Sequence, residues 1–124
     1  MAPIARVVSY AVAGMPNDVI GEGSIPASKA ALARAGLSIA DMDVIESNEA
    51  FAAQALTVAK GVELDPAKTN PNGGAIALGH PIGASGAVIA TKAIHELQRL
   101  GGKYALVTMS IGEGQGIAVI FEGT

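Results

Sequence analysis

Three stretches of the chain hold polar groups that a scaffold does not need. The first is Asn48-Glu49, at the change from a strand pattern to a helical one. Asn48 either caps that helix through its side-chain oxygen or faces a substrate, and the residue types leave both open. The second runs Asn72-Gly-Gly-Ala-Ile-Ala-Leu-Gly-His80-Pro-Ile-Gly-Ala-Ser85-Gly86. Its glycines let backbone approach another group closely, and it opens a helix whose first N–H groups lack partners. An anion would fit there, yet GxGxxG is absent and no lysine follows the last glycine as in a nucleotide-phosphate loop. His80 stands in this loop instead, ahead of the φ-restricting Pro81. A lone histidine is more often structural, but one set among glycines just before a helix reads as a proton donor or acceptor. His95, between Ile94 and Glu96, reads as a partly exposed helix residue. The third stretch is Ser110-Ile-Gly112-Glu-Gly-Gln-Gly116. It is either a plain hairpin turn or a row of backbone N–H groups free to face an oxyanion. Ser110 lies outside any GxSxG elbow, so a hydrolase triad is not supported. Glu49 and Glu113 are the acidic candidates to partner His80.

Around these groups, strand and helix patterns alternate. Arg6–Ala13 is β-rich and ends at Gly14, with a loop over Met15–Gly23 after it. Ser24 reads as an N-cap with Pro26 in the first turn, and Gly36 closes that helix. Val44-Ile45 marks a short buried strand, and Glu49–Lys60 a helix of small residues closed by Gly61. Glu63–Gly79 is irregular. A longer helix covers about Ala84–Leu100, and its apolar residues span more than one stripe, so burial on most sides is expected. Lys103–Met109 and Gly116–Glu122 form a terminal hairpin around Gly112-Glu113-Gly114. This order is an α/β layer with antiparallel pairing at its C-terminal end.

Composition narrows the function classes. The chain has 124 residues, is 50% hydrophobic and carries a formal charge of −3. No Lys/Arg cluster exists to drive binding to nucleic acid or to an anionic membrane face. Cysteine is absent, which excludes disulfides, thiolate metal sites and a cysteine nucleophile within this chain. The N-terminus lacks a signal-peptide pattern and no apolar run is long enough to span a membrane, so a cytoplasmic location is expected.

Taken together and in this order, the three stretches resemble the C-terminal half of the thiolases. Asn48–Phe51 matches the family's Asn-Glu-Ala-Phe segment, and Gly73–Gly86 matches its Gly-Gly-Ala-Ile-Ala-Leu-Gly-His-Pro-Ile-Gly-Ala-Ser-Gly segment without a gap. Ser110–Gly116 matches the final Cys-x-Gly-Gly-Gly-Gln-Gly turn with two departures. The resemblance implies an acyl-CoA C-acyltransferase, which cleaves 3-ketoacyl-CoA with CoA or runs the reverse Claisen condensation. It implies one domain over residues 1–124, an α/β thiolase-type half of order βαβαβαββ. Its mixed five-stranded sheet would be covered by helices, with a short third strand near Lys68–Asn70. It also implies that the nucleophilic cysteine lies in an N-terminal half outside this sequence.

The same resemblance assigns roles. His80 would activate the nucleophile and help hold the thioester oxygen, and Asn48 would position a water in that oxyanion hole. Ser110 stands where the family has its acid/base cysteine, and the N–H of Gly112 would serve a second oxyanion hole. Gly79, Ser85 and Phe51 would face the substrate. No resident cofactor or metal is implied, the CoA thioester being the substrate. The implied partners are the N-terminal half, acyl-CoA and further copies of the chain, because the face of the missing half is left apolar.

The departures bear on activity. A thiol near pKa 8.5 shuttles protons at neutral pH; an aliphatic hydroxyl is several units weaker, at about 1.4 kcal/mol per unit. Ser110 is therefore expected to slow condensation and thiolysis by orders of magnitude. Glu113 replaces a glycine and puts negative charge near an oxyanion. Gly21–Ser24 reads GEGS where the family more often has Gly-x-Gly-Pro. The competing class is a non-catalytic thiolase-like module that binds acyl-CoA or a partner protein; the isolated chain is expected to be inactive in either case.

Overall fold

The structure, a computed structural model, describes residues 1–124. Runs rich in β-branched and small residues form four strands: β1 (Ala5–Gly14), β2 (Val44–Ser47), β3 (Tyr104–Ile111) and β4 (Gln115–Gly123). They make one sheet of order β1-β4-β3-β2. β4 pairs antiparallel with β1 and β3, while β2 runs parallel to β3. The helices are α1 (Ser24–Ala35), α2 (Ala52–Val62), the single turn α3 (Ala75–Leu78) and α4 (Ser85–Leu100). This is the α/β half with a mixed sheet that the sequence implies, with one strand fewer.

The fifth strand is reduced to a single bridge. Ile45 N–H donates to Lys68 O at 2.9 Å, Asn70 N–H donates to Ile45 O at 2.8 Å, and Thr69 pairs with Ile45 in parallel. Extension stops there because Asn70 turns into the left-handed region at φ 48 and Pro71 has no N–H to offer.

The core divides between the two faces of the sheet. Ile45, Leu106, Ala118 and Ile120 pack against Ala27, Ala31 and Leu32 of α1. Val44, Ala105 and Val107 pack against Ile89, Ala93 and Leu97 of α4. All four residues of β2 are buried, as a parallel strand between helical layers requires. The expectation that α4 is buried on most sides is not met. Its buried apolar residues form one i, i+4, i+8 stripe, and Val88 and Leu100 are 41% and 52% exposed. The sheet covers one face of this helix, and the 72–79 loop touches it beside that face.

Two helix starts differ from the sequence reading. α2 begins at Ala52 rather than Glu49, because the chain through Phe51 stays extended (φ −146, ψ 149). Ser24 is the first residue of α1, not its cap; Gly23 precedes it and the Ser24 hydroxyl is buried without a partner. Here α1 lies directly on the β3–β4 hairpin. A Cβ on Gly116 would collide with the Gly23 carbonyl, and one on Gly23 would come within 2.7 Å of Gln115. Backbone touches backbone, so neither side can yield.

Gly116→Ala is therefore expected to destabilise the fold by about 3 kcal/mol or more through overpacking. Gly83→Ala, whose Cβ would meet nothing within 4 Å, should stay within about 1 kcal/mol of the parent. Urea unfolding of both variants checks the contrast, and equal losses would refute it.

Candidate functional site

The site forms where the parallel strands end. β2 stops at Ser47, and the next residue, Asn48, ties its N–H to Thr108 O on β3 at 3.0 Å. Ser110 lies two residues further along β3. The carboxyl ends of neighbouring parallel strands are where open α/β sheets gather ligand-facing groups, since the loops after them all leave from one edge. The glycine loop and the first turn of α4 close over this edge.

Asn48 is 5% exposed and caps no helix. Its Nδ2 donates to His80 Nε2 across 3.4 Å. On the other side of the ring, His80 Nδ1 lies 2.7 Å from Ser85 Oγ, which itself donates to Pro81 O at 3.0 Å. Because the Ser85 hydroxyl proton is committed to that carbonyl, Ser85 accepts from Nδ1–H. The imidazole is thereby held as the Nδ1–H tautomer with the lone pair of Nε2 turned toward Asn48 and the open side. His80 is exposed, whereas Ser85 is buried beneath it. Neither Glu49 nor Glu113 is hydrogen-bonded to the ring: its partners are neutral.

The glycine loop is pinned from below. Glu49 accepts from Asn70 Nδ2 at 3.1 Å and from the N–H of Ile76 at 3.0 Å. Its carboxylate fills the space that a side chain on Gly74 would take. Lys92 donates to Gly73 O and to Glu46 Oε2, the latter at 2.8 Å. Glu46 is fully buried in β2; burial pushes its carboxyl above the usual range and the Lys92 ammonium pulls it part of the way back. Asn72 donates to Glu96 Oε2 at 3.0 Å, and Arg99 grips both Glu96 oxygens at 2.6 and 2.8 Å. The hydrogen bonds from Arg99 and then Asn72 hold the Glu96 carboxyl down at about 2, from the usual 4.5. His95 is exposed on the far side of this helix.

The third stretch lines a separate cavity of about 220 Å³ with Phe51, Gln54 and the 20–21 segment. Ser110 Oγ and Gln54 Oε1 are buried there without partners. Within the hairpin, Gln115 N–H donates to Gly112 O, and φ is positive at both central residues, Glu113 (25) and Gly114 (83). The N–H groups of Gly112, Glu113 and Gly114 make no hydrogen bond within the chain. Phe51 is 76% exposed at the mouth. Gly79, with φ 98, ends α3 and lets the chain reverse into His80.

His80, Asn48 and Ser85 thus come together by direct hydrogen bonds, Gly79 sets the entry to that cluster, and Ser110, Gly112 and Phe51 share the separate cavity. Four residues that the sequence reading passed over hold the site: Glu46, Lys92, Glu96 and Gln54. A signal for the first three was present. Glu46 is a charge inside a buried strand pattern, and Ser85, Ile89, Lys92 and Glu96 recur at helical spacing on one face of α4. No group of three His, Asp or Glu side chains is clustered as a metal site would need, and no helix is long and apolar enough to cross a membrane.

Fold and site define a layered α/β unit with a histidine–asparagine pair at the carboxyl edge of its parallel strands. The model of the family "Thiolase, C-terminal domain" matches residues 1–123, and the chain belongs to that family. It is 63% identical over 122 residues to the beta-ketothiolase BktB of Cupriavidus necator, covering 98% of this chain and 31% of that protein. It is 55% identical to the mitochondrial 3-ketoacyl-CoA thiolase of Homo sapiens over 122 residues, again 98% of this chain and 31% of the relative. A crystal structure of the human mitochondrial enzyme in complex with CoA superimposes with a TM-score of 0.96 at 54% identity, covering 99% of this chain and 31% of that one. The chain spans about a third of the length of the relatives it matches.

Ser85→Ala removes the acceptor at Nδ1, so the His80 ring should shift toward the Nε2–H tautomer. Nitrogen chemical shifts of the isolated chain read this, and an unchanged tautomer would refute the clamp. Glu96 keeps its charge to lower pH in the folded chain than in the unfolded one. Its contribution is therefore fully present above about pH 4.5 and lost as pH falls toward 2. The stability gap between parent and Glu96→Gln should narrow over that window, measured by urea unfolding at stepped pH; a gap independent of pH would count against the assignment.

Proposed function

We propose that residues 1–124 are the C-terminal catalytic domain of an acyl-CoA C-acyltransferase. It acts in thiolytic cleavage of 3-ketoacyl-CoA or in the reverse condensation of acyl-CoA. The observation that carries this reading is the clamped His80, with Nε2 unprotonated beside Asn48 and open to whatever covers the loop. A base so held can take the proton from a thiol presented by a second half and later return it.

In this reading Asn48 and His80 stabilise the thioester oxygen, and Gly112 N–H, free of any internal partner, donates to a second oxyanion. Gly79 shapes the approach to His80, and Phe51 meets the acyl-CoA. Ser85 acts through His80 as a positioning residue. Ser110 occupies the acid/base position with a weaker acid. The CoA thioester is substrate, and we assign no resident cofactor or metal. The N-terminal half is the partner for an apolar surface that includes Phe51, Leu56, Ile76, Leu78 and Ile82, each 60% exposed or more. Left uncovered, that surface favours self-association. The location we assign is cytoplasmic.

The test is a chimaera in which this chain replaces the matching C-terminal 31% of the Cupriavidus necator beta-ketothiolase. Acetoacetyl-CoA thiolysis should be absent for the isolated chain and present for the chimaera carrying Ser110→Cys. The chimaera with Ser110 should be slower by roughly 10²–10⁴-fold, the usual worth of a positioned acid/base. A folded chimaera that stays silent with Ser110→Cys would overturn the enzyme reading, and CoA binding by it would then favour a non-catalytic binding module.

A further inference from the structure

Ser110 leaves the expected acid/base position without a thiol, yet one of the residues around its cavity, itself exposed, is ionisable. The lining residues come from the 17–22 turn, from the start of α2 and from the β3–β4 hairpin. Among them Glu113 is the only titratable group. Asp18 and Glu22, on the same turn, line a neighbouring hollow that shares Ile20, Gly21 and Gln54 with this cavity, and His80 lies outside the cavity wall. Resting on the acyltransferase reading, we propose that Glu113 is the general base of this cavity, taking the proton from the α-carbon of an acyl thioester in place of a cysteine thiol.

Three observations meet at this residue. The first is conformational. The hairpin turn needs positive φ at both central positions, a demand that glycine, asparagine or aspartate meets at least cost. Glu113 sits at the first of them with φ 25, in a region that costs a side-chain-bearing residue about 1–2 kcal/mol. Strain of this kind persists where a side chain is required at that point of the backbone.

The second is the row of N–H groups at Gly112, Glu113 and Gly114, which makes no internal hydrogen bond. Gly112 and Glu113 are exposed, so their N–H groups are free to meet an enolate oxygen, whereas Gly114 is buried. The third is the pair of buried, unpartnered oxygens on Ser110 and Gln54 in the same wall. Unsatisfied polar atoms in a cavity await a polar occupant. Both atoms are closed off from solvent, so a thioester carbonyl meets the Ser110 hydroxyl, and an amide N–H of the CoA arm meets Gln54 Oε1, only once these side chains turn toward the cavity.

The step balances within the site. The C–H bond at the α-carbon breaks, its proton forms the carboxylic acid of Glu113, and its electron pair becomes the enolate held by the free N–H groups. In the cleavage direction the step runs in reverse: Glu113 enters as the carboxylic acid, its O–H proton goes to the departing enolate carbon, and the carboxylate is left. The carboxylate and the enolate never carry charge together, because Glu113 becomes neutral as the enolate forms. The like-charge conflict expected of a glutamate in this turn is thus confined to the resting state.

The experiment uses the Cupriavidus necator chimaera with its nucleophilic cysteine changed to alanine, so that only exchange of the α-protons of acetyl-CoA with D₂O is read by NMR. The parent chain should exchange, and Glu113→Gln and Glu113→Gly should each lose roughly 10²-fold or more. The double variant Ser110→Cys/Glu113→Gly should regain exchange. Its pH profile should differ from the parent's, because a thiol replaces a carboxylate as the base. His80 is common to both proteins, so the difference between their profiles isolates the exchanged base. Retention of exchange by Glu113→Gln would overturn the proposal. So would a silent parent beside an active double variant, which leaves the acyltransferase reading intact. A folded double variant that is also silent would sink both.

Discussion

Because β2 and β3 run parallel, both strands must end at the same edge of the sheet, and the segment leaving each is delivered to one place. The residue after β2 is Asn48; the end of β3 presents Ser110 and the hairpin glycines. α4 packs across β2 and β3 through Ile89, Ala93 and Leu97, which sets its first turn, and the loop leading into it, over that edge. A different register between the strands would separate Asn48 from His80 by whole residues, each a little over roughly 3 Å of strand. Site and core thus rest on one pairing.

Beneath the site lies a polar layer that most cores avoid. Glu46 is fully buried and one of its oxygens has no partner, while the other is paired with Lys92. Burying such a pair costs desolvation that the mutual attraction offsets only in part, so the pair is weak evidence for stability in itself. Its geometric effect is plain: Lys92 also holds Gly73 O, Asn72 holds Glu96, and Glu49 holds Ile76 N–H. Three side chains thereby fix a loop rich in glycine that has little hydrophobic anchorage of its own. The loop needs its glycines for close approach, as at Gly74 over the Glu49 carboxylate. The surrounding charges restore the rigidity those glycines forfeit.

Much of the fold was legible in the residues. A β-rich run marked β1, the turn at Gly112-Glu113-Gly114 marked the hairpin of β3 and β4, and glycines at 36 and 101 ended α1 and α4 with φ of 67 and 64. The short β2 was visible in Val44-Ile45. The misses share a cause. The fifth strand, the start of α2 and the cap of α1 each depended on a few residues whose conformation is set by neighbours distant in sequence. Thr69 pairs with Ile45, Asn48 is drawn to Thr108 and His80, and Gly23 is pressed against Gly116. Local propensity carries no information about those contacts.

Residue type and spacing, which are local properties, were enough for the family of the chain, for the alternation of strand and helix, and for the side chains able to do chemistry: His80, Asn48, Ser110 and the glycines around them. Which groups meet was left to the packed fold. Packing made Ser85 rather than a carboxylate the partner of His80 Nδ1, and it placed Glu46 and Lys92 beneath the loop. It also put Glu113 on the same cavity wall as Ser110. Hydrogen bonds and ion pairs act over a few ångströms of space, and residues such as Glu46 and Lys92 reach that range only once the sheet and α4 have packed.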